Sequence, residues 1–134
     1  MPLKKTFDRR KILLVEDDDS MRRFLEIVLQ RAGYAVVLAV DGLAAMEVAF
    51  NNSIEAVVSD AVMPNLTGHD LCRILRQNPQ MKNVPLVILS GLEQEASNFP
   101  GDSCADAYLL KGSNISEELV GKLSELFNKN SASQ

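Results

Sequence analysis

Cysteine and histidine are scarce in this chain, and their scarcity excludes several chemistries. Cys72 and Cys104 lie far apart, form no C-x-x-C pair and have no histidine at metal-ligand spacing. The sequence therefore signals neither a disulfide framework nor a zinc site. Two packed thiols in a reducing cytoplasm are the expectation. No apolar run approaches the ~20 residues needed to span a membrane. The N-terminus also lacks the apolar stretch of a secretory signal. A soluble, cytoplasmic chain without membrane association is predicted. A basic surplus is missing too: the formal net charge is −4, which argues against a general surface for direct nucleic-acid binding. The local basic cluster of Lys4, Lys5, Arg9, Arg10 and Lys11 reads as a solvated leader. Internal repeats and linkers are absent as well.

What is present points to one folded unit. The chain has 134 residues, 46% of them hydrophobic and 24% charged, which suits a single globular core. Residues 10–128 are read as the domain, residues 1–9 as an N-terminal leader and residues 129–134 as a polar C-terminal tail. Within the domain, β-branched apolar runs alternate with segments of helical period, the pattern of a parallel sheet with crossover helices. Strands are predicted at 11–16, 34–39, 55–60, 84–90 and 106–111.

The first helix would place Met21, Phe24, Leu25, Val28, Leu29 and Ala32 on one face, with Asp18 or Asp19 as its cap and Gly33 as its end. The second, running to about Asn51, carries Leu43, Ala44, Met46 and Val48. The third turns Leu71, Ile74 and Leu75 inward and stops near Asn78-Pro79. Between Ser90 and Asp106 the signal weakens, because Asn98, Pro100 and Gly101 interrupt it. A short or irregular fourth helix is expected there. The last helix begins with Asn114 and Glu117 at capping-box spacing and carries Ile115, Leu119, Val120, Leu123, Leu126 and Phe127.

In open parallel sheets ligands bind beyond the carboxyl ends of the strands. Those ends carry Glu16 and Asp17, Asp60, Ser90 and Lys111, and right-handed crossovers bring them to one edge. Asp60 is the informative residue, because a carboxylate at the mouth of an apolar strand pays a desolvation cost that needs a reason. Three acids close together repel one another unless a cation joins them, and oxygen donors suit Mg²⁺. With the ion present, Asp60 could act as a nucleophile toward phosphorus. Lys111 would pair with one phosphoryl oxygen and Ser90 would donate a hydrogen bond to another.

At these residues the chain resembles the receiver (CheY-like) domain of two-component response regulators. "LLVEDD" is similar to the family's acidic pair, at Glu16 and Asp17. "SDAVMPNLTG" fits the pattern D-x-x-M-P-x-x-x-G with the phosphoacceptor at Asp60. "VILSG" carries the hydroxyl at Ser90, and "YLLK" the aromatic at Tyr108 and the lysine at Lys111. The resemblance implies an α/β, flavodoxin-like, doubly wound sheet of five parallel strands in the order 2-1-3-4-5. It also implies Mg²⁺ held by Glu16, Asp17, Asp60 and the backbone carbonyl of Val62, and a switch formed by Ser90 and Tyr108. Phosphorylation would come from a sensor histidine kinase or a histidine phosphotransfer protein and would alter contacts with a downstream protein target or a homodimer partner. Because valine cannot orient a water, slow self-dephosphorylation is expected from Val62.

Two positions depart from the family pattern. Gly112 follows Lys111 where a proline, often cis, is usual, so a trans loop and a changed approach of Lys111 are expected. Pro100-Gly101 breaks a segment that commonly meets partners. These departures keep open an alternative, a phosphorylation-independent receiver-like interaction module. A Mg²⁺-dependent phosphatase is a further rival, but such enzymes commonly resemble D-x-D at the nucleophile, and the third position here is Val62. Gly68 is read as a relaxing residue before the third helix, with Asn65 or Thr67 as the cap, and His69 as a solvated surface residue.

Overall fold

The alternation of apolar runs and amphipathic segments folds as β1 (Lys11–Val15), α1 (Asp19–Arg31), β2 (Ala35–Ala39), α2 (Gly42–Asn51), β3 (Ala56–Asp60), α3 (Gly68–Arg76), β4 (Leu86–Ser90), β5 (Ala107–Leu110) and α4 (Ile115–Ala132). This computed structural model describes residues 10–91 and 104–132. The leader at residues 1–9 and the irregular helix expected between Ser90 and Asp106, with its Pro100-Gly101 break, fall outside or almost wholly outside the described residues. The five strands form one sheet in the order β2-β1-β3-β4-β5, every pair parallel. That is the expected flavodoxin-like order. Among the described residues, no helix is long and apolar enough to cross a membrane.

The sheet separates two apolar layers. Leu13, Val15, Val57 and Ile88 face α2 and α3, whereas Ile12, Leu14, Val58, Val87 and Leu89 face α1 and α4. β3 and β4 are buried on both faces throughout, which is why they show no polar alternation; the one polar residue ahead of their terminal Asp60 and Ser90 is Ser59, whose hydroxyl donates to the Asp60 carbonyl. Each fully buried aliphatic side chain stabilises the fold by about 1.5–3 kcal/mol.

Several sequence expectations need correction. In α1, Leu25 and Leu29 are buried but Phe24 is 45% exposed, because it lies a quarter-turn away from the buried stripe. In α2, Gly42, Ala45 and Ala49 are buried and the expected Ala44, Met46 and Val48 pack, partly buried, against the same layer, while Leu43 points to solvent. Small residues let this helix lie close, with Leu66 from the loop after β3 lying against Gly42. α4 continues to Ala132, through residues read as a polar tail. Cys72 and Cys104 are not two separate thiols: they are joined as a disulfide with a Cα separation of 6.3 Å, inside the usual range. Cys72 is on the buried face of α3, and the fold lays that face against the chain entering β5.

Candidate functional site

The run Ile12–Val15 has no solvent exposure and carries the next residue, Glu16, into the interior at 1% exposure. Glu16 is held from several directions. Its N–H donates to the Ala39 carbonyl at 3.1 Å, its carbonyl accepts from Arg22 Nη1 at 3.0 Å, and its Oε2 accepts from the Asp18 N–H at 3.2 Å. Asp17 follows, exposed. Asp18 is the cap of α1, its carboxylate accepting from the Met21 N–H at 2.7 Å, so the α1 cap is Asp18 and not Asp19. Arg22 was not singled out in the sequence. Its only sequence signal is a basic residue on the flank of α1, one turn after the acidic run.

Asp60 ends β3 at 8% exposure. Beyond it, the Ala61 N–H continues the ladder to the Leu89 carbonyl at 2.8 Å, and the Gly68 N–H donates back to the Ala61 carbonyl at 3.0 Å. A Cβ on Gly68 would stand 2.5 Å from the Asp60 carbonyl oxygen. Gly68 is therefore required by a close approach to the Asp60 backbone and does more than relax the chain. Asn65 takes the left-handed conformation with φ 74°, an arrangement asparagine tolerates better than most residues. Thr67 caps α3, its Oγ1 accepting from the Asp70 N–H at 3.1 Å.

At the same edge, Ser90 ends β4 fully buried, and its carbonyl accepts from the Lys111 N–H at 2.7 Å. Lys111 Nζ then lies 2.9 Å from Glu16 Oε1 and 3.1 Å from Asp60 Oδ1. Among the described residues all peptide bonds are trans. With Gly112 after it, Lys111 still reaches both acids, so the changed approach anticipated from the missing proline does not remove it from the cluster.

One oxygen each from Glu16, Asp17 and Asp60 lies within 4.8 Å of the others. Burial pushes the Glu16 carboxyl above the ordinary range, and the Asp60 charge adds to that, against the pull of Lys111 and the Asp18 N–H. For Lys111 burial works to lower the pKa, but hydrogen bonds to Glu16 and Asp60 and their charges outweigh it, leaving the pKa raised and the ammonium charged. Glu16 Oε1 is buried, with the Lys111 ammonium 2.9 Å away as its partner. A set of carboxylate oxygens gathered this closely, oxygen-only and anionic, fits a hard divalent cation.

The remaining predicted residues lie nearby in different roles. Val62, in the loop after Asp60, has a side chain 59% exposed. Tyr108 is on β5, paired with Ile88, and packs against the α2/α3 layer. Its hydroxyl oxygen is buried, and burial raises its pKa.

A family model described as the response regulator receiver domain matches residues 12–122. This chain belongs to the response regulator receiver family. The receiver is 36% identical over 122 residues to the response regulator MprA of a Mycobacterium species, covering 90% of this chain and 52% of that protein. It is 32% identical over 120 residues to the response regulator ArlR of Staphylococcus saprophyticus, covering 89% of this chain and 53% of the relative. The receiver thus spans about half the length of these curated relatives. Among solved structures it is similar to the response regulator TrrA of Thermotoga maritima, crystallised in complex with Mg²⁺-BeF. That likeness has a TM-score of 0.78 and 27% identity, and covers 87% of this chain and 98% of the other.

Proposed function

We propose that this receiver accepts a phosphoryl group on Asp60 from the phosphohistidine of a sensor histidine kinase or a histidine phosphotransfer protein. The observation that carries the proposal is the convergence of Glu16, Asp17 and Asp60 with the Lys111 ammonium bridging two of them. The complex of the Thermotoga maritima relative with Mg²⁺-BeF supports the same reading. Glu16, Asp17, Asp60 and the Val62 carbonyl would hold Mg²⁺. When bound, the ion supplies positive charge that offsets repulsion between carboxylates and an anionic phosphoryl group.

The protein's own groups do the rest. Asp60 presents a carboxylate oxygen from the end of a rigid central strand, forming the new O–P bond as the P–N bond breaks and its electron pair returns to the donor imidazole. Lys111, already in contact with the Asp60 oxygen, neutralises charge on the transferred group, and Ser90 donates its hydroxyl to another phosphoryl oxygen. Tyr108 follows Ser90, and the resulting shift between two surface conformations changes contacts with a downstream protein. The activity is self-directed signalling chemistry, limited to the protein's own phosphorylation and dephosphorylation, in the cytoplasm.

Intact-mass spectrometry after treatment with acetyl phosphate and Mg²⁺ tests this. One added phosphoryl group in the native protein and none in Asp60→Asn is the expected result. Absence of any gain in the native protein would favour the phosphorylation-independent interaction module.

A further inference from the structure

His69 opens α3 and is not the solvated surface residue its sequence position suggests. It is half-buried, and its imidazole stacks on Tyr108, with ring centroids 5.7 Å apart and planes inclined by 28°. Burial, and then the Arg73 charge, lower its pKa against the opposing effect of Asp70, which favours the neutral aromatic ring.

The placement of this stack matters. His69 directly follows Gly68, which donates to the Ala61 carbonyl and approaches the Asp60 carbonyl so closely that a Cβ would not fit. The start of α3 is therefore packed onto the acceptor's backbone without slack. On the other side of the stack, β5 runs from Tyr108 to Leu110 and hands the chain to Lys111, whose ammonium returns to Asp60. The contacts close a circuit: Asp60 backbone, Gly68, His69, Tyr108, β5, Lys111, Asp60 carboxylate.

We infer that His69 is a positioning residue for the Tyr108 switch, an aromatic platform that transmits movement of the Asp60 loop to the Tyr108 ring. The inference rests on the phosphoacceptor reading above and adds a mechanical link to it. A displacement of the loop on phosphorylation carries the first turn of α3 with it, and the ring stacked on that turn must slide or follow.

The chain has a single histidine and two tyrosines, so a Tyr34→Phe background leaves Tyr108 as the only tyrosine. In that background native His69, His69→Ala, His69→Leu and His69→Phe are labelled with fluorotyrosine. Fluorine NMR spectra are recorded before and after acetyl phosphate and Mg²⁺, with phosphoryl occupancy measured by intact mass in the same samples. Removing one aromatic partner should change the ratio of Tyr108 environments about 2- to 10-fold in the unphosphorylated protein. At matched occupancy, His69→Ala and His69→Leu should lose most of the Tyr108 response, and His69→Phe should retain it. If His69→Ala does not fold, the leucine and phenylalanine variants decide between bulk and ring. An unaltered Tyr108 spectrum and response in His69→Leu, or a phenylalanine variant that behaves like leucine, would overturn the inference. A native protein that gains no mass would overturn the phosphoacceptor reading and the transmission role with it. The resting spectra would still show separately whether the stack holds Tyr108.

Discussion

Replacing Lys111 with methionine removes one ammonium and leaves two buried carboxylates facing one another. In the native protein that ammonium is 2.9 Å from Glu16 and 3.1 Å from Asp60, and the Lys111 and Glu16 side chains are only 14% and 1% exposed. At an effective dielectric near 20 each contact attracts by roughly 5–6 kcal/mol, though desolvation of the three groups cancels much of this. Removing one partner from a buried pair typically costs about 3–5 kcal/mol, and Lys111→Met should lose stability at the lower end of that range, because Glu16 can relax by protonating. The deficit should therefore depend on pH. Burial already raises the Glu16 pKa, and without Lys111 it rises further. A carboxyl with a raised folded pKa contributes stability below its unfolded pKa and loses that contribution as pH rises through the folded value. The variant should approach the native protein near about pH 5 and fall behind toward about pH 8. Mg²⁺ at 100 times its dissociation constant should restore about 2.7 kcal/mol. Urea denaturation of both proteins at the two pH values, in chelator and in Mg²⁺, measures all of this. Equal stability in chelator near pH 8, or a deficit indifferent to both pH and Mg²⁺, would refute the electrostatic account of the cluster.

Arg76 donates to the carbonyls of Met81, Lys82, Val84 and Cys104 and to Asp106; Arg76→Met should cost about 2–4 kcal/mol and lower the melting temperature by roughly 10 °C in calorimetry. Gly68→Ala forces a Cβ against the Asp60 carbonyl; it should destabilise by about 1–3 kcal/mol in chemical denaturation and slow labelling by acetyl phosphate. Val62→Asn places an amide where an exposed valine stands and should speed loss of the phosphoryl group by up to about tenfold, the value of one well-placed hydrogen bond; a mass-spectrometric decay rate equal to the native one would remove the argument.

The strand ends were legible because a buried run that stops at a charge has few structural explanations. β1 and β4 are apolar up to Glu16 and Ser90, and β3 is apolar but for Ser59 before Asp60; the order of parallel strands places those residues on one edge without any side-chain detail. The face of α2 was not legible. Leu43 looks like a core residue but is exposed, and the fully buried positions are Gly42, Ala45 and Ala49, with Ala44, Met46 and Val48 partly buried beside them; small residues carry no hydrophobic signal strong enough to mark a buried stripe. Phe24 misled for the opposite reason: its hydrophobicity is strong, but it lies off the buried line of α1. The Cys72–Cys104 bond, the Arg76 clamp and the His69–Tyr108 stack share one cause of invisibility. Each joins α3 or its C-terminal end to the chain around β5, distant in sequence and adjacent only after β4 has been inserted between β3 and β5. Gly68 was visible as a glycine, but its reason lies in an approach to a carbonyl that no local pattern reveals.

The strands of the sheet also differ in how firmly they are held. Asp60 and Ser90 end β3 and β4, which are buried along their whole length and pair on both sides. Displacing either strand would break two ladders and open voids in both apolar layers, at a cost far above what one phosphoryl group can supply. β5 has one neighbouring strand, and its residues are only partly buried or exposed. Tyr108 and Lys111 lie on or just beyond it, so a shift there disturbs a single ladder and one edge of the α2/α3 layer. On the proposed reading phosphorus would arrive at the central Asp60 carboxylate, and Tyr108 on the edge strand is a large aromatic group whose response would disturb only one ladder. His69, directly after Gly68 and stacked on the Tyr108 ring, stands between the backbone at Asp60 and the edge strand.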